Sequence, residues 1–165
     1  MLQKVLNLIP VTTRETIMLR LFGRFQVRGI GFISPSVIES TPERMAIRVP
    51  LNRKTRNHLH GMYFGVLAAG ADCAGGLIAY KAIQESKVKV QLIFKDFHAE
   101  FLKRAEGDVV FACEQGRELR AAVAEAIRTG ERVNTAVQVV ATVPSKFGNE
   151  PVAKFQLTLS LKRKG

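Results

Sequence analysis

Cysteine is scarce in this chain. Cys73 and Cys113 stand far apart, with no CxxC pair. That pattern supports neither a disulfide framework nor a metal knuckle, and it suits a reducing compartment, so a cytoplasmic location is expected. His58 and His60 could face a metal from an extended segment, but no third ligand is spaced to join them. Neither a Gly-rich phosphate loop nor a Ser-centred nucleophile elbow is present. No metal or cofactor is therefore expected. The chain also lacks internal repeats, low-complexity tracts and any long Lys/Arg block. Aromatics are 7% of the residues and do not alternate with basic ones, as a base-stacking platform would need. The opening MLQKVLNLIP is broken by Asn7 and Pro10 and has no small-residue cleavage site, so a secretory leader is not expected.

Acid is the other shortage. Asp and Glu total 14 against 25 Lys and Arg, a net charge of +11. The excess sits at the two ends, with residues 61–150 electrically balanced. Such a charge favours anionic partners such as phosphates, nucleic acid or an acidic membrane face. Without basic–aromatic interleaving, nucleic acid is not the expected one. The 165 residues are 47% apolar and 24% charged, ordinary values for a soluble globular chain that can bury a sizeable core. One main domain over 32–165 with an N-terminal helical extension over 1–31 is the expected organisation.

The periodicities fill in the elements. Residues 14–26 read as an amphipathic helix, with Ile17, Met18, Leu21, Phe22 and Phe25 on one stripe and Arg20, Arg24 and Arg28 on another. It could cover an edge of the domain or lie on a membrane surface. Gly29 and Gly31 then read as punctuation. Period-2 alternation marks strands at 45–49, 88–95, 133–143 and 154–161, and a short apolar run marks one at 108–113. The long strands 133–143 and 154–161 read as sheet edges in need of cover. Leu119, Ala122, Val123, Ala126 and Ile127 repeat at helical spacing before Gly130, a C-terminal cap. PSKFGNEP, at 144–151, reads as a connecting loop.

Residues 61–80 carry a single charge, Asp72. A membrane span is the first alternative for such a run. The central acid, the weak hydrophobicity of its Gly and Ala, and the flanking amphipathic strands favour instead a helix buried in a globular domain, without stable membrane insertion. Larger side chains at Gly76 or Ala68 would then overpack it. On that helix the neighbours of Asp72 are Gly65, Ala68, Ala69, Gly75 and Gly76. The carboxylate thus lies on a smooth face with no basic partner. Desolvation there would raise its pKa and suit it to general-base or nucleophilic work. A carboxylate simply satisfied by a neighbouring strand or by water fits the same spacing. Helix N-terminal amides near Gly65 could polarise a carbonyl. Cys73 has no local His to activate it, and His98 reads as a strand residue.

These residues resemble a known pattern. A strand, then Asn-x-x-Gly-x-x-His-Gly-Gly, then a central apolar helix with an acid, then antiparallel strands, is similar to the hotdog-fold acyl-CoA thioesterases. Here Asn57 matches the Asn, Gly65 the final Gly and Asp72 the helix acid. The run 94–109, FKDFHAEFLKRAEGDV, resembles the family's strand pair, where FLxPAxxGD is typical. Tyr63 and Phe64 stand where phenylacetyl-CoA thioesterases have His and Gly, His60 where Gly is usual, and Arg104 in place of Pro. A helix near 117–129 replaces a tight turn. The resemblance covers about residues 32–161.

What it implies is an α+β hotdog domain, a curved antiparallel sheet wrapped around the 61–83 helix. It implies hydrolysis of an acyl-CoA thioester in a homodimer or dimer of dimers with sites at the interface. Asp72 would activate water or attack the carbonyl, the Gly65 amide would polarise it, and Asn57 would orient water or substrate from the opposite subunit. Tyr63 would stand in the position of the family His, with His60, Phe64, Ala68 and Ala69 lining the substrate site. Basic residues would hold the phosphates of coenzyme A. A non-catalytic acyl-CoA or fatty-acyl binding module on the same scaffold, and a basic protein binding nucleic acid or anionic lipid, are the alternatives.

Overall fold

The computed structural model describes residues 9–165; most of the segment weighed as a leader lies outside the described residues. Eleven elements follow in order: α1 (Val11–Phe25), α2 (Arg28–Ile33), β1 (Ser36–Ser40), β2 (Met45–Val49), α3 (Phe64–Ser86), β3 (Val90–Phe101), β4 (Val109–Cys113), α4 (Gly116–Thr129), β5 (Val133–Thr142), α5 (Pro144–Phe147) and β6 (Pro151–Arg163). The strands form one antiparallel sheet in the order β1-β2-β4-β5-β6-β3, packed on the long helix α3. This is the hotdog architecture, α+β, that the sequence pattern implies.

Alternation explains the register. Val137 pairs with Leu157, Val139 with Phe155, and Val133 with Leu161, so their apolar side chains share the face that meets the helices. Val137, Val139, Phe155, Leu157, Leu159 and Leu161 are all buried, each worth about 1.5–3 kcal/mol of transfer free energy. α3 is long and apolar enough to cross a membrane by length and composition, yet two thirds of its most apolar stretch is buried against sheet and helices. The sheet reaches it closely because the helix presents no bulk. A Cβ at Gly70 would come within 2.4 Å of the Phe111 ring, and one at Gly75 within 2.9 Å of Val137. The close contacts therefore fall at Gly70 and Gly75 rather than at Gly76, where a Cβ would find ordinary contact distances.

Edges differ from expectation. The regular strands β5 and β6 are interior to the sheet, and the long edge strand is β3, paired only with β6. β3 shifts register between Phe94 and Asp96, and Ile93, Phe97 and Phe101 are exposed along it. The interior pair β5 and β6 shifts register only at its end, between Ala141 and Thr142, whereas the edge strand shifts in its middle.

Two elements escape the sequence patterns. β1 pairs with β2 around a register shift at Val37/Glu39, which breaks its alternation. α2 contains Gly29 and Gly31 in six residues, poor helix formers. Its glycine serves a crossing: a Cβ at Gly23 would lie 2.4 Å from the Gly31 nitrogen, so α1 and α2 touch backbone to backbone. PSKF, read as loop, contains the single turn α5. The helical segments belong to the same apolar cluster as the sheet, through Leu19, Ile30 and Ile33.

Candidate active site

A strap of irregular chain, residues 50–63, delivers the polypeptide to the start of α3. Its anchor is Thr55, fully buried. The Thr55 hydroxyl donates to the Pro50 carbonyl (2.7 Å) and accepts from the Asn52 amide (2.9 Å). Its own carbonyl accepts the Tyr63 N–H at 2.9 Å, which sets the residue preceding the helix. Thr55 was not singled out by the sequence, because a threonine in a polar stretch carries no signature.

Asn57 organises the middle of the strap. Its Oδ1 accepts the Leu59 N–H (2.9 Å), its backbone N–H donates to Gly61 (2.7 Å), and its carbonyl accepts from His60 (3.1 Å). This Asx-turn closes through His60 at φ 63°. A left-handed residue is needed there, the physical reason that glycine suits the position. The His60 and His58 side chains are exposed. The Arg104 stem lies against Gly61, where a Cβ would be 2.9 Å from it, so the arginine that stands in place of proline braces this strap.

Tyr63 precedes α3 with no side-chain cap on the helix. The Val66 and Leu67 amides close on the Tyr63 carbonyl, which leaves those of Phe64 and Gly65 without a backbone acceptor among the described residues. The Tyr63 ring lies over Gly65, within 2.6 Å of where a Cβ would sit, and meets Phe64 edge-on at 4.8 Å. Both rings are largely exposed. The space that Gly65 opens is thus occupied by the residue two positions before it.

Further along α3, Ala68 and Ala69 are half-buried, and Asp72 follows on the same stripe. Burial pushes the Asp72 carboxyl up from 3.8 to about 6, with no compensating partner among the described residues. Its Oδ1 lies over Gly76, 3.7 Å from the position of a Cβ there, beside the Phe94 ring. It therefore leans one turn away from Gly65. The helix rises about 10 Å between Gly65 and Asp72, so one chain presents amide and carboxylate on one stripe without bringing them together. Asn57 lies in the strap before α3, bonded to Gly61 rather than to Gly65. Next to Asp72, burial and the carboxylate's charge push the Cys73 thiol far up, which makes it a packing residue rather than a nucleophile.

The carboxylate opens onto a cavity of about 210 Å³ between α1, α3 and β3. A half-buried carboxylate with a pKa near neutrality, beside an apolar cavity, can hold or release a proton at physiological pH.

Comparisons agree with this architecture. A Halobacterium salinarum protein named "putative esterase" is 27% identical over 125 residues, 74% of this chain and 75% of its own length. A Chlorobaculum tepidum protein of unknown function superposes with a TM-score of 0.78 at 14% identity, covering 93% of this chain and 97% of that one. A thioesterase from Haemophilus influenzae superposes with a TM-score of 0.65 at 15% identity, covering 88% of each chain. The model of one family matches residues 23–161, from the end of α1 into β6, and the chain belongs to that family, described as a domain of unknown function (DUF4442).

Proposed function

We propose that the protein is a thioesterase that hydrolyses acyl-CoA. The observation that carries the reading is Asp72: a carboxylate without a partner among the described residues, raised toward neutrality by burial, set on the smooth stripe of the central helix beside an apolar cavity. In its basic form Asp72 takes a proton from water, and the oxygen of that water attacks the thioester carbonyl. The tetrahedral oxyanion forms against the Gly65 N–H. Collapse expels the coenzyme A thiolate, which takes up the proton, leaving a carboxylic acid and free thiol.

The separation of Asp72 from Gly65 along one helix supports a site shared between two copies. Asp72 of one protomer then faces the Gly65 amide and Asn57 of its partner, with His60, Phe64, Ala68 and Ala69 around the substrate. The long edge of β3 is the surface that such a homodimer pairs, or a dimer of dimers extends. Free arginines and lysines at the chain ends hold the coenzyme's phosphates.

Non-catalytic acyl-CoA binding is favoured by one observation, the Tyr63 ring seated on Gly65. Thiol release from a panel of short, medium, long and aryl acyl-CoAs separates the two readings. Turnover abolished in Asp72→Asn supports hydrolysis. Saturable stabilisation by acyl-CoA without thiol release supports the binding module. A stable monomer by light scattering at micromolar concentration removes the basis for the shared site.

A further inference from the structure

The cavity beside Asp72 is roofed by an element that the sequence assigned to a peripheral extension. Met18 and Phe22 of α1 face Leu77 and Tyr80 of α3, and Leu92 and Phe94 of β3 close the side. The lining is apolar apart from the Asp72 carboxylate, the Tyr80 hydroxyl and the Cys73 thiol.

Why does α1 not settle into this space? It is pinned along its length by polar bonds to the frame. Glu15, itself buried, pairs with Lys81 of α3, whose ammonium also donates to Ser40 at 2.9 Å. The Val37 N–H donates to the Thr16 hydroxyl at 2.8 Å. Arg20 donates to the Pro35 carbonyl (3.0 Å) and the Ser36 hydroxyl (2.8 Å). The Phe22 and Tyr80 rings meet at 5.3 Å. Roof and floor touch at that ring pair, and closing the space beside it would break several of these bonds at once. Interiors without such a reason pack at crystal density.

We infer that this cavity is the acyl-binding pocket, with α1 as its roof, and that it selects aryl or medium-length acyl groups over long chains. The inference rests on the thioesterase reading and names its substrate class. Size carries the selection. An apolar cavity of roughly 150 Å³ holds one benzene ring, whereas sites for drug-sized ligands run to about 300–1,000 Å³. At 210 Å³ the pocket houses one aromatic ring or a chain of similar bulk, and a palmitoyl tail would extend beyond it. Gly76 lines the pocket next to the carboxylate, and a side chain there would enter the space flanked by the Phe94 ring and Asp72 Oδ1.

The test pairs turnover with binding. Wild type, Phe22→Ala, Met18→Ala and Gly76→Ala are assayed for thiol release with acetyl-, hexanoyl-, phenylacetyl-, decanoyl- and palmitoyl-CoA. The same proteins are titrated calorimetrically with the non-hydrolysable thioethers S-hexyl-CoA and S-decyl-CoA. Wild type should favour hexanoyl and phenylacetyl substrates by tenfold or more over palmitoyl. Phe22→Ala and Met18→Ala should shift both kcat/KM and thioether affinity toward the decyl chain by tenfold or more. Gly76→Ala should weaken both chains while its fold is retained. Hydrolysis by wild type with a length profile and thioether affinities unmoved by all three variants overturns the pocket and leaves the thioesterase reading standing. Thioether binding retuned by Phe22→Ala in a protein that releases no thiol supports the pocket and overturns the hydrolytic reading. Binding of S-decyl-CoA equal to that of S-hexyl-CoA in wild type overturns the size selection.

Discussion

Two faces of α3 use small residues for opposite ends. On the sheet-facing side, Gly70 and Gly75 bring the helix so near the strands that Phe111 and Val137 fill the missing side-chain volume. On the other side, Ala68, Ala69 and Gly76 share the stripe of a carboxylate, and at Gly76 a methyl would meet only ordinary contacts. The first face is closed by packing and the second leaves room beside Asp72. Glycine content alone does not distinguish them; what lies opposite does.

The largest expected effect belongs to the open face. Asp72→Asn keeps size and removes charge, so thiol release should fall by about 10²–10⁴-fold while acyl-CoA binding persists. Because the base form is required and the carboxyl sits at about 6, wild-type kcat/KM should rise with pH through that value and level off above it. A flat profile from pH 5 to 7.5 would detach activity from this group.

The closed face should respond in stability. Gly70→Ala forces a methyl into the Phe111 ring and should destabilise by about 1–3 kcal/mol in denaturant titration. Gly76→Ala should be neutral or stabilising by up to about 1 kcal/mol, the ordinary helical gain of alanine over glycine. Equal losses at both positions would erase the contrast.

A subtler outcome joins the two faces. The Asp72 carboxyl is raised in the fold, so its ionised form weakens the native state as pH climbs from about 4 through 6, and the cost is full above that. Asp72→Asn, inactive, should therefore be more stable than wild type by about 1–3 kcal/mol at pH 7. The gain should vanish below about pH 4. Thermal melts across that range check the sign.

The smallest effect is expected at Tyr63. Its hydroxyl makes no hydrogen bond among the described residues, and its ring is what meets Gly65. Tyr63→Phe should keep thiol release within about threefold of wild type. A loss of a hundredfold would give the hydroxyl the role that the family's His suggests.

Much of the fold was legible because alternation and helical spacing report burial. β5, β6, α3 and α4 each bury one continuous pattern. β1 and α2 were illegible for local reasons, a bulge that resets the alternation and two glycines in six residues. Edge and centre were exchanged because strand order is a long-range property: β3 lies beside β6, which follows it by two other strands in the chain. At the site, the smooth stripe around Asp72 could be read from spacing along one helix. Thr55, which sets the entry to that helix, could not. Met18 and Phe22 stand on a legible apolar stripe, but their roofing of this cavity is a contact across the chain that no local pattern encodes.

The roof and floor of that cavity come from stretches some fifty positions apart, and the family match begins at residue 23, beyond Met18 and Phe22. On the proposed reading, the helix that carries Asp72 and the segment that sets the room above it are separate stretches of chain. Grafting a different first helix that keeps the Glu15, Thr16 and Arg20 anchors would be a way to make a series of enzymes with one chemistry and graded appetites. In such a series, variation before residue 23 would track diet, and variation in the helix itself would track turnover.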